Sequence, residues 1–273
     1  METWHNLNGE LIEGNQLRIR IDNRAFHYGD GFFESLRFEN GDCKLWKYHV
    51  ERIYETGKAL RMCLEKDFGS LLLKEIHRLL EKIGLTTGHA RVRLQVYRSG
   101  GGKYSPHQNQ PSFLIEAEPL DENPMKGITV SFCAEPIVGR PSFKGAKTVN
   151  ALPYVLAGIE RGERRVDEIL LYGTDGNLIE ASASNLWWVE DESIYTPPLT
   201  SGCVNGVFRR HLLKGVPEQG IEVMEKTIDK VELMKAKEVF LTNAVQGIQW
   251  VDEIDGIFFE SQVSHYLIES LGF

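Results

Sequence analysis

The sequence predicts an α+β chain of two domains, the second rich in antiparallel sheet. Three observations carry this. Asn8-Gly9 and Asn40-Gly41 are two-residue hairpin signals, so the opening is antiparallel and not a strand–helix–strand unit. Residues 119–126, PLDENPMK, are polar, hold two prolines and show no periodicity, which marks a linker. Beyond them the pattern changes to short strands separated by turns. The expected division is therefore 1–118, linker 119–126, and 127–273.

Each element has its own pattern. Residues 48–61 place Val50, Ile53 and Leu60 on one helical face with Arg52 beside it, and 66–83 carry the stripe Phe68, Leu72, Ile76, Leu79, Leu80 and Ile83. Residues 91–97 alternate strictly, Val92, Leu94 and Val96 opposite Arg93 and Gln95, which predicts a half-buried strand. A Gly/Pro-rich loop comes next, then a strand over 112–116. Further strands are predicted over 128–133, 168–172, 178–181, 186–189, 193–195 and 238–242. A helix is expected from Asn150, with Pro153 in its tolerant first turn and Leu152, Val155, Leu156 and Ile159 at helical spacing. Short helices are predicted over 206–214 and 261–271.

Composition narrows the function classes. The chain has 273 residues and a formal net charge of −8, which gives no support to a nucleic-acid or anionic-membrane partner. Its four cysteines, Cys43, Cys63, Cys133 and Cys203, lie far apart with no CxxC spacing. That argues against a structural metal site and fits a reducing compartment. The opening residues lack the apolar core of a signal peptide, and no apolar run approaches membrane-spanning length, so a cytoplasmic location is expected.

Three features point to one chemistry. Lys147 precedes the predicted helix start at Asn150, and a lysine amine beside a ligand is a natural nucleophile toward carbonyls. Glu180 lies in LIEASASNLWWV, otherwise apolar or small, where a carboxylate needs a cation or donors. TSGCVNGVFRR sets small residues before a helical stretch whose N–H groups suit an anion, with Arg52 as a counter-charge and LTNAV closing the cup. An amine, a carboxylate and an anion cup are the parts a pyridoxal phosphate site needs.

With YGDGFFES from Tyr28, HVERI around Arg52, KTVN at Lys147, EASASN from Glu180 and CVNG from Cys203 in that order, the chain resembles the class IV aminotransferases, pyridoxal-phosphate enzymes of fold type IV. The resemblance implies a smaller N-terminal α/β domain, a larger C-terminal domain, the cofactor between them, and a homodimer acting on a small amino substrate. It implies that Lys147 holds the cofactor covalently and moves the proton, and that Glu180 pairs with the ring nitrogen. Arg52, the N–H groups of Val204 and Asn205, and the turn at Asn243-Ala244 would bind the phosphate. Phe33, Arg98 and Tyr104 would line the substrate site.

Within the family, Lys147 followed by Thr148-Val149-Asn150-Ala151 and the triplet Phe33-Glu34-Ser35 depart from the branched-chain enzymes. Residues 98–105, RSGGGKYS, and Val204-Asn205-Gly206 resemble 4-amino-4-deoxychorismate lyase, with Lys103 where the lyase has glycine. The lyase, which makes 4-aminobenzoate and pyruvate for folate synthesis, is the first expectation. An aminotransferase for a D- or hydrophobic amino acid, its carboxylate on Arg98, is the alternative. A dimeric relative without turnover is a remote third.

Overall fold

The computed structural model describes residues 3–121, 125–137 and 145–271. Residues 122–124 of the expected linker and 143–144 ahead of Lys147 lie outside the described residues. The chain divides into two compact units, 1–123 with 146–150, and 124–145 with 151–273.

The first unit begins with strands β1 (Trp4–Leu7) and β2 (Glu10–Glu13), followed by helix α1 (Arg24–Tyr28), β3 (Gly31–Glu39) and β4 (Asp42–Cys43). Asn8 and Gly9, and again Asn40 and Gly41, all have positive φ, the backbone a type I′ hairpin requires. Helices α2 (Trp46–Ala59) and α3 (Phe68–Lys82) and strands β5 (His89–Arg98) and β6 (Pro111–Pro119) complete the unit. Its six strands run β2-β1-β6-β5-β3-β4, every pair antiparallel. Val92, Leu94 and Val96 are fully buried and share one core with Leu72, Ile76 and Leu79 of α3. The period-2 strand and the period-3.6 helix thus meet on the faces their patterns predict.

Two details here set up the site. On α2 the buried residues are His49, Arg52, Ile53, Thr56 and Gly57, a largely polar face; Val50 and Leu60 are only partly buried. Residues 146–150 join this unit through main-chain bonds, Phe33 N–H to the Lys147 carbonyl at 3.0 Å and Val149 N–H to the Gly31 carbonyl at 3.1 Å. Gly31 is tight against β5: a Cβ on it would stand 2.6 Å from the Val96 carbonyl oxygen and 2.9 Å from the Tyr97 Cβ. Gly31→Ala is therefore expected to cost about 1–3 kcal/mol through overpacking. The measurement is denaturant unfolding; an unchanged midpoint would show that β3 shifts without cost.

The second unit holds β7 (Ile128–Phe132), α4 (Leu152–Arg164), β8 (Glu168–Tyr172), β9 (Leu178–Ala181), β10 (Asn185–Glu190) and β11 (Ser193–Thr196). After them come α5 (Val207–Gly215), β12 (Val223–Glu225), α6 (Lys230–Leu233), β13 (Glu238–Asn243), β14 (Gly247–Ile254), β15 (Ile257–Phe258) and α7 (Gln262–Leu271). The sheet order is β12-β11-β10-β13-β14-β7-β8-β9, with β15 on β14. Pairs β11–β12, β7–β14 and β7–β8 are parallel and the others antiparallel. Trp187 and Trp188 are consecutive and fully buried, so both faces of β10 are covered. Trp187 stacks on Phe240 and donates its indole N–H to Thr242 Oγ1 at 2.9 Å, which satisfies the one polar atom it buries.

Helix α4 departs from the expected cap. Ala151, not Asn150, is the N-cap, while the Asn150 side chain donates to the Gly29 carbonyl at 3.1 Å. Leu152, Val155, Leu156 and Ile159 form the predicted stripe, but each is more than half exposed, at 66, 54, 58 and 54%. The inner face is instead carried by Ala157 and Tyr154. Among the described residues no helix is long and apolar enough to cross a membrane.

Candidate active site

In the first unit Lys147 is placed by its backbone. The bond from Phe33 and a one-residue bridge between Phe32 and Thr148 lay residues 147–149 along the start of β3. The Lys147 Nζ stands 4.6 Å from the centroid of the Phe33 ring, within cation–π distance. Alternation in β3 separates the two neighbours Phe33 and Glu34. Phe33 is partly buried, while Glu34 shares the buried register with Phe32, Leu36 and Phe38.

A buried carboxylate on that face requires partners, and α2 supplies them one turn apart. Arg52 donates to Glu34 through Nε at 2.8 Å and through Nη2, and His49 sets Nδ1 at 2.6 Å from Glu34 Oε2. All three side chains are nearly inaccessible. Burial alone pushes the Glu34 carboxyl up, but the Arg52 charge and the bonds from His49 and Arg52 outweigh it, bringing it to about 2. For His49, burial pushes the imidazole down and outweighs the attraction of Glu34, with the charges of Arg52 and Lys147 acting in the same direction as burial. Neither Glu34 nor His49 is among the predicted site residues. The available signal was a Glu in the inward register of an apolar strand face, with His and Arg three residues apart on the following helix.

Arg98, expected to meet a substrate carboxylate, belongs here to a network within the fold. Its Nε donates to Asp30 at 2.9 Å, Nη1 to Asn109 Oδ1 at 2.6 Å and the Arg61 carbonyl at 3.3 Å, and Nη2 to the Leu60 carbonyl at 2.6 Å. A guanidinium spent on four acceptors fastens the fold. Arg24 Nε donates to the same Asp30 oxygen, Oδ2, at 2.7 Å and its Nη1 reaches the carbonyls of Gly102 and Lys103, so this pair pins the 99–110 loop to α1. Tyr104 projects from that loop almost fully exposed, its ring 5.6 Å from that of Tyr28.

In the second unit the site is built around Glu180 on β9, which is 3% exposed. Its Oε1 accepts from the Tyr154 hydroxyl at 2.7 Å, and its Oε2 accepts from the Val204 N–H at 2.9 Å and from Asn185 Nδ2 at 3.4 Å. Asn185 also donates to the Val204 carbonyl at 2.8 Å, tying the 203–206 loop to β10. Two donors of the predicted phosphate cup are engaged inside the fold in this structure. The Val204 N–H is turned onto Glu180 and the Asn205 N–H donates to the Gly145 carbonyl at 2.9 Å, so neither is aimed at an outside anion. Helix α5 starts two residues later at Val207, and its first-turn N–H groups have no intrahelical acceptor. Asn243 accepts from the Val245 and Gln246 N–H groups at 2.9 and 2.8 Å, and donates to Ser184 Oγ and Gln246 Oε1. These bonds brace the turn that carries Ala244. Among the described residues no group of three His, Cys, Asp or Glu side chains gathers as a metal site.

The model of the amino-transferase class IV family matches residues 31–254. The chain belongs to the class IV aminotransferases. It is 31% identical to a putative branched-chain-amino-acid aminotransferase of Methanocaldococcus jannaschii, over 92% of this chain and 87% of that one. It is 26% identical to the aminodeoxychorismate lyase of Vibrio harveyi, over 88% of each chain. The fold is that of the branched-chain aminotransferase of Thermoproteus uzoniensis, with a TM-score of 0.89 at 23% identity over 99% of this chain and 93% of that one. As a class IV aminotransferase, the chain is an enzyme whose cofactor is pyridoxal 5′-phosphate.

Proposed function

We propose that this class IV enzyme transfers the amino group of an α-amino acid to a 2-oxo acid. The observation that carries the reading is Glu180, a buried carboxylate that accepts from a hydroxyl, a backbone N–H and an amide. Such a group stabilises a cation placed against it and suits a protonated ring nitrogen. The cofactor, when bound, supplies an electron-accepting ring that stabilises negative charge at the substrate α-carbon. Lys147 Nζ holds the cofactor and carries the proton to and from the α-carbon as base and acid. Glu180 keeps the ring-nitrogen proton in place by its charge. Arg52 is the charged group assigned to the phosphate, and in the second unit the first turn of α5 and the braced Asn243-Ala244 turn are the N–H donors of the kind that bind one. Phe33, under the Lys147 amine, limits the volume open to the substrate.

The substrate class is supported by the relatives. The Methanocaldococcus jannaschii relative is named for branched-chain amino acids, and a Bacillus licheniformis relative 28% identical over 91% of this chain is a D-alanine aminotransferase. Elimination of 4-amino-4-deoxychorismate to 4-aminobenzoate and pyruvate is the second reading. It is supported by Val204-Asn205-Gly206 and the 98–105 loop together with the Vibrio harveyi relative. Supplying the loaded enzyme with L- and D-amino acids plus 2-oxoglutarate or pyruvate, and separately with 4-amino-4-deoxychorismate, decides between them. Amino-group transfer without 4-aminobenzoate supports the first reading; 4-aminobenzoate as the main product replaces it with the second and with a role in folate precursor synthesis.

The enzyme works as a homodimer in the cytoplasm. The apolar stripe of α4 faces outward, and each such side chain gains about 1.5–3 kcal/mol on burial against another surface. A second copy of the chain is the partner assigned to it. Leu156→Asp, at the centre of the stripe, is expected to shift the enzyme from dimer to monomer in sedimentation velocity. A variant that stays dimeric removes α4 from the contact.

A further inference from the structure

The Glu34, His49 and Arg52 cluster raises a question of charge. Resting on the reading that Arg52 holds the cofactor phosphate, a dianion must be stabilised by an arginine whose charge Glu34 already cancels. The formal charges of Glu34 and Arg52 sum to nothing, and both are buried where uncompensated charge is costly. His49 is the third member, bonded to the same carboxylate at 2.6 Å and fully buried. Its Nδ1 faces Glu34, which fixes Nδ1 as the protonated nitrogen of the neutral ring and leaves Nε2 as the basic one. Among the described residues Nε2 has no hydrogen-bond partner, so a proton arriving there displaces no existing bond.

We infer that phosphate binding at this site is coupled to proton uptake by His49, which converts a neutral cluster into a cationic one. The charged groups facing the imidazole account for the switch. Without phosphate, burial and the charges of Arg52 on α2 and Lys147 on the 147–150 segment keep the ring neutral against the pull of Glu34 on β3. Cys43 on β4 stays a thiol, because burial and then the Glu34 charge push it up, and so adds no charge. A bound dianion reverses the balance of the field. Linkage fixes the sign. His49 has a higher proton affinity in the phosphate-bound state, so binding is strongest below the free-state value. It weakens as pH rises through the bound-state value, by up to about tenfold per pH unit.

The test uses the full-length chain stripped of cofactor and titrated calorimetrically with inorganic phosphate, which brings no carbonyl chemistry. Two mildly alkaline buffers of different ionisation enthalpy report the protons exchanged. The expected result is uptake of about one proton per phosphate in the wild type. His49→Asn keeps a donor toward Glu34 but cannot become charged, and it is expected to bind phosphate more weakly with no uptake. Equal uptake in that variant overturns the inference. Wild-type affinity in Arg52→Gln overturns instead the placement of the phosphate on Arg52. Should His49→Asn fail to fold, ring nitrogen-15 shifts of labelled His49 in the wild type give the same answer. A change from neutral imidazole to imidazolium on adding phosphate supports the coupling, and unchanged shifts refute it.

Discussion

Lys147→Ala is expected to abolish turnover while leaving a folded protein. Both halves of that expectation come from how the residue is held. The position of Lys147 rests on main-chain bonds, its carbonyl accepting from Phe33 and the neighbouring Val149 N–H donating to Gly31, with Asn150 anchored on the Gly29 carbonyl. None of these uses the lysine side chain, so truncation leaves the segment in place. The amine itself stands over the Phe33 ring. Losing it removes the group proposed to carry the proton, worth roughly 10²–10⁴ in rate, and the proposed covalent hold on the cofactor as well. Single turnover of the loaded variant measures the loss. Borohydride treatment followed by peptide mass analysis should place a phosphopyridoxyl mass on the Lys147 peptide of the wild type alone. Activity within tenfold of wild type would remove Lys147 from the chemistry.

How much of this was legible in the sequence depends on whether a residue's local pattern agrees with its tertiary surroundings. In β5 and α3 it does: Val92, Leu94 and Val96, and Leu72, Ile76 and Leu79, are buried where their periods place them. Strand β14 is not among the predicted strands, because Gln249, Asp252 and Glu253 dilute its apolar signal and its pairing with β7 shifts register between Val251 and Glu253. On α2, apolar periodicity selects Val50, Ile53 and Leu60, yet the buried side carries His49 and Arg52. That side is stable only because Glu34 arrives from another element, and no helical pattern contains this information. The α4 stripe is helical, as its spacing predicts, but lies on the outward face. Lys147 and Glu180 stand out because their residue types are unusual in their settings. Arg98 and the Val204 and Asn205 N–H groups meet acceptors inside the fold that the sequence did not show: a donor's chemistry is visible in sequence, whereas the acceptor that satisfies it is a property of the fold.

Glu180→Gln is the complementary test, because it removes charge while keeping shape. The Val204 N–H can only donate, so the glutamine must turn its oxygen toward Val204 and Asn185 and its NH₂ toward Tyr154. The tyrosine hydroxyl can rotate to accept, so the hydrogen bonds can be rebuilt and the strand holds. What cannot be rebuilt is the negative charge proposed to face the ring nitrogen. Turnover is expected to fall by roughly 10²–10³, the size of a lost preorganised electrostatic contact. Cofactor affinity should weaken, yet the borohydride-fixed mass on Lys147 should persist, which separates this variant from Lys147→Ala. Tyr154→Phe removes one of the donors that orient the carboxylate and leaves the charge, so its effect should be much smaller, about tenfold or less. If Glu180→Gln turned over like the wild type, the buried carboxylate would be a structural tie between β9, α4 and the 203–206 loop, and the ring nitrogen's partner would have to be sought elsewhere in the chain.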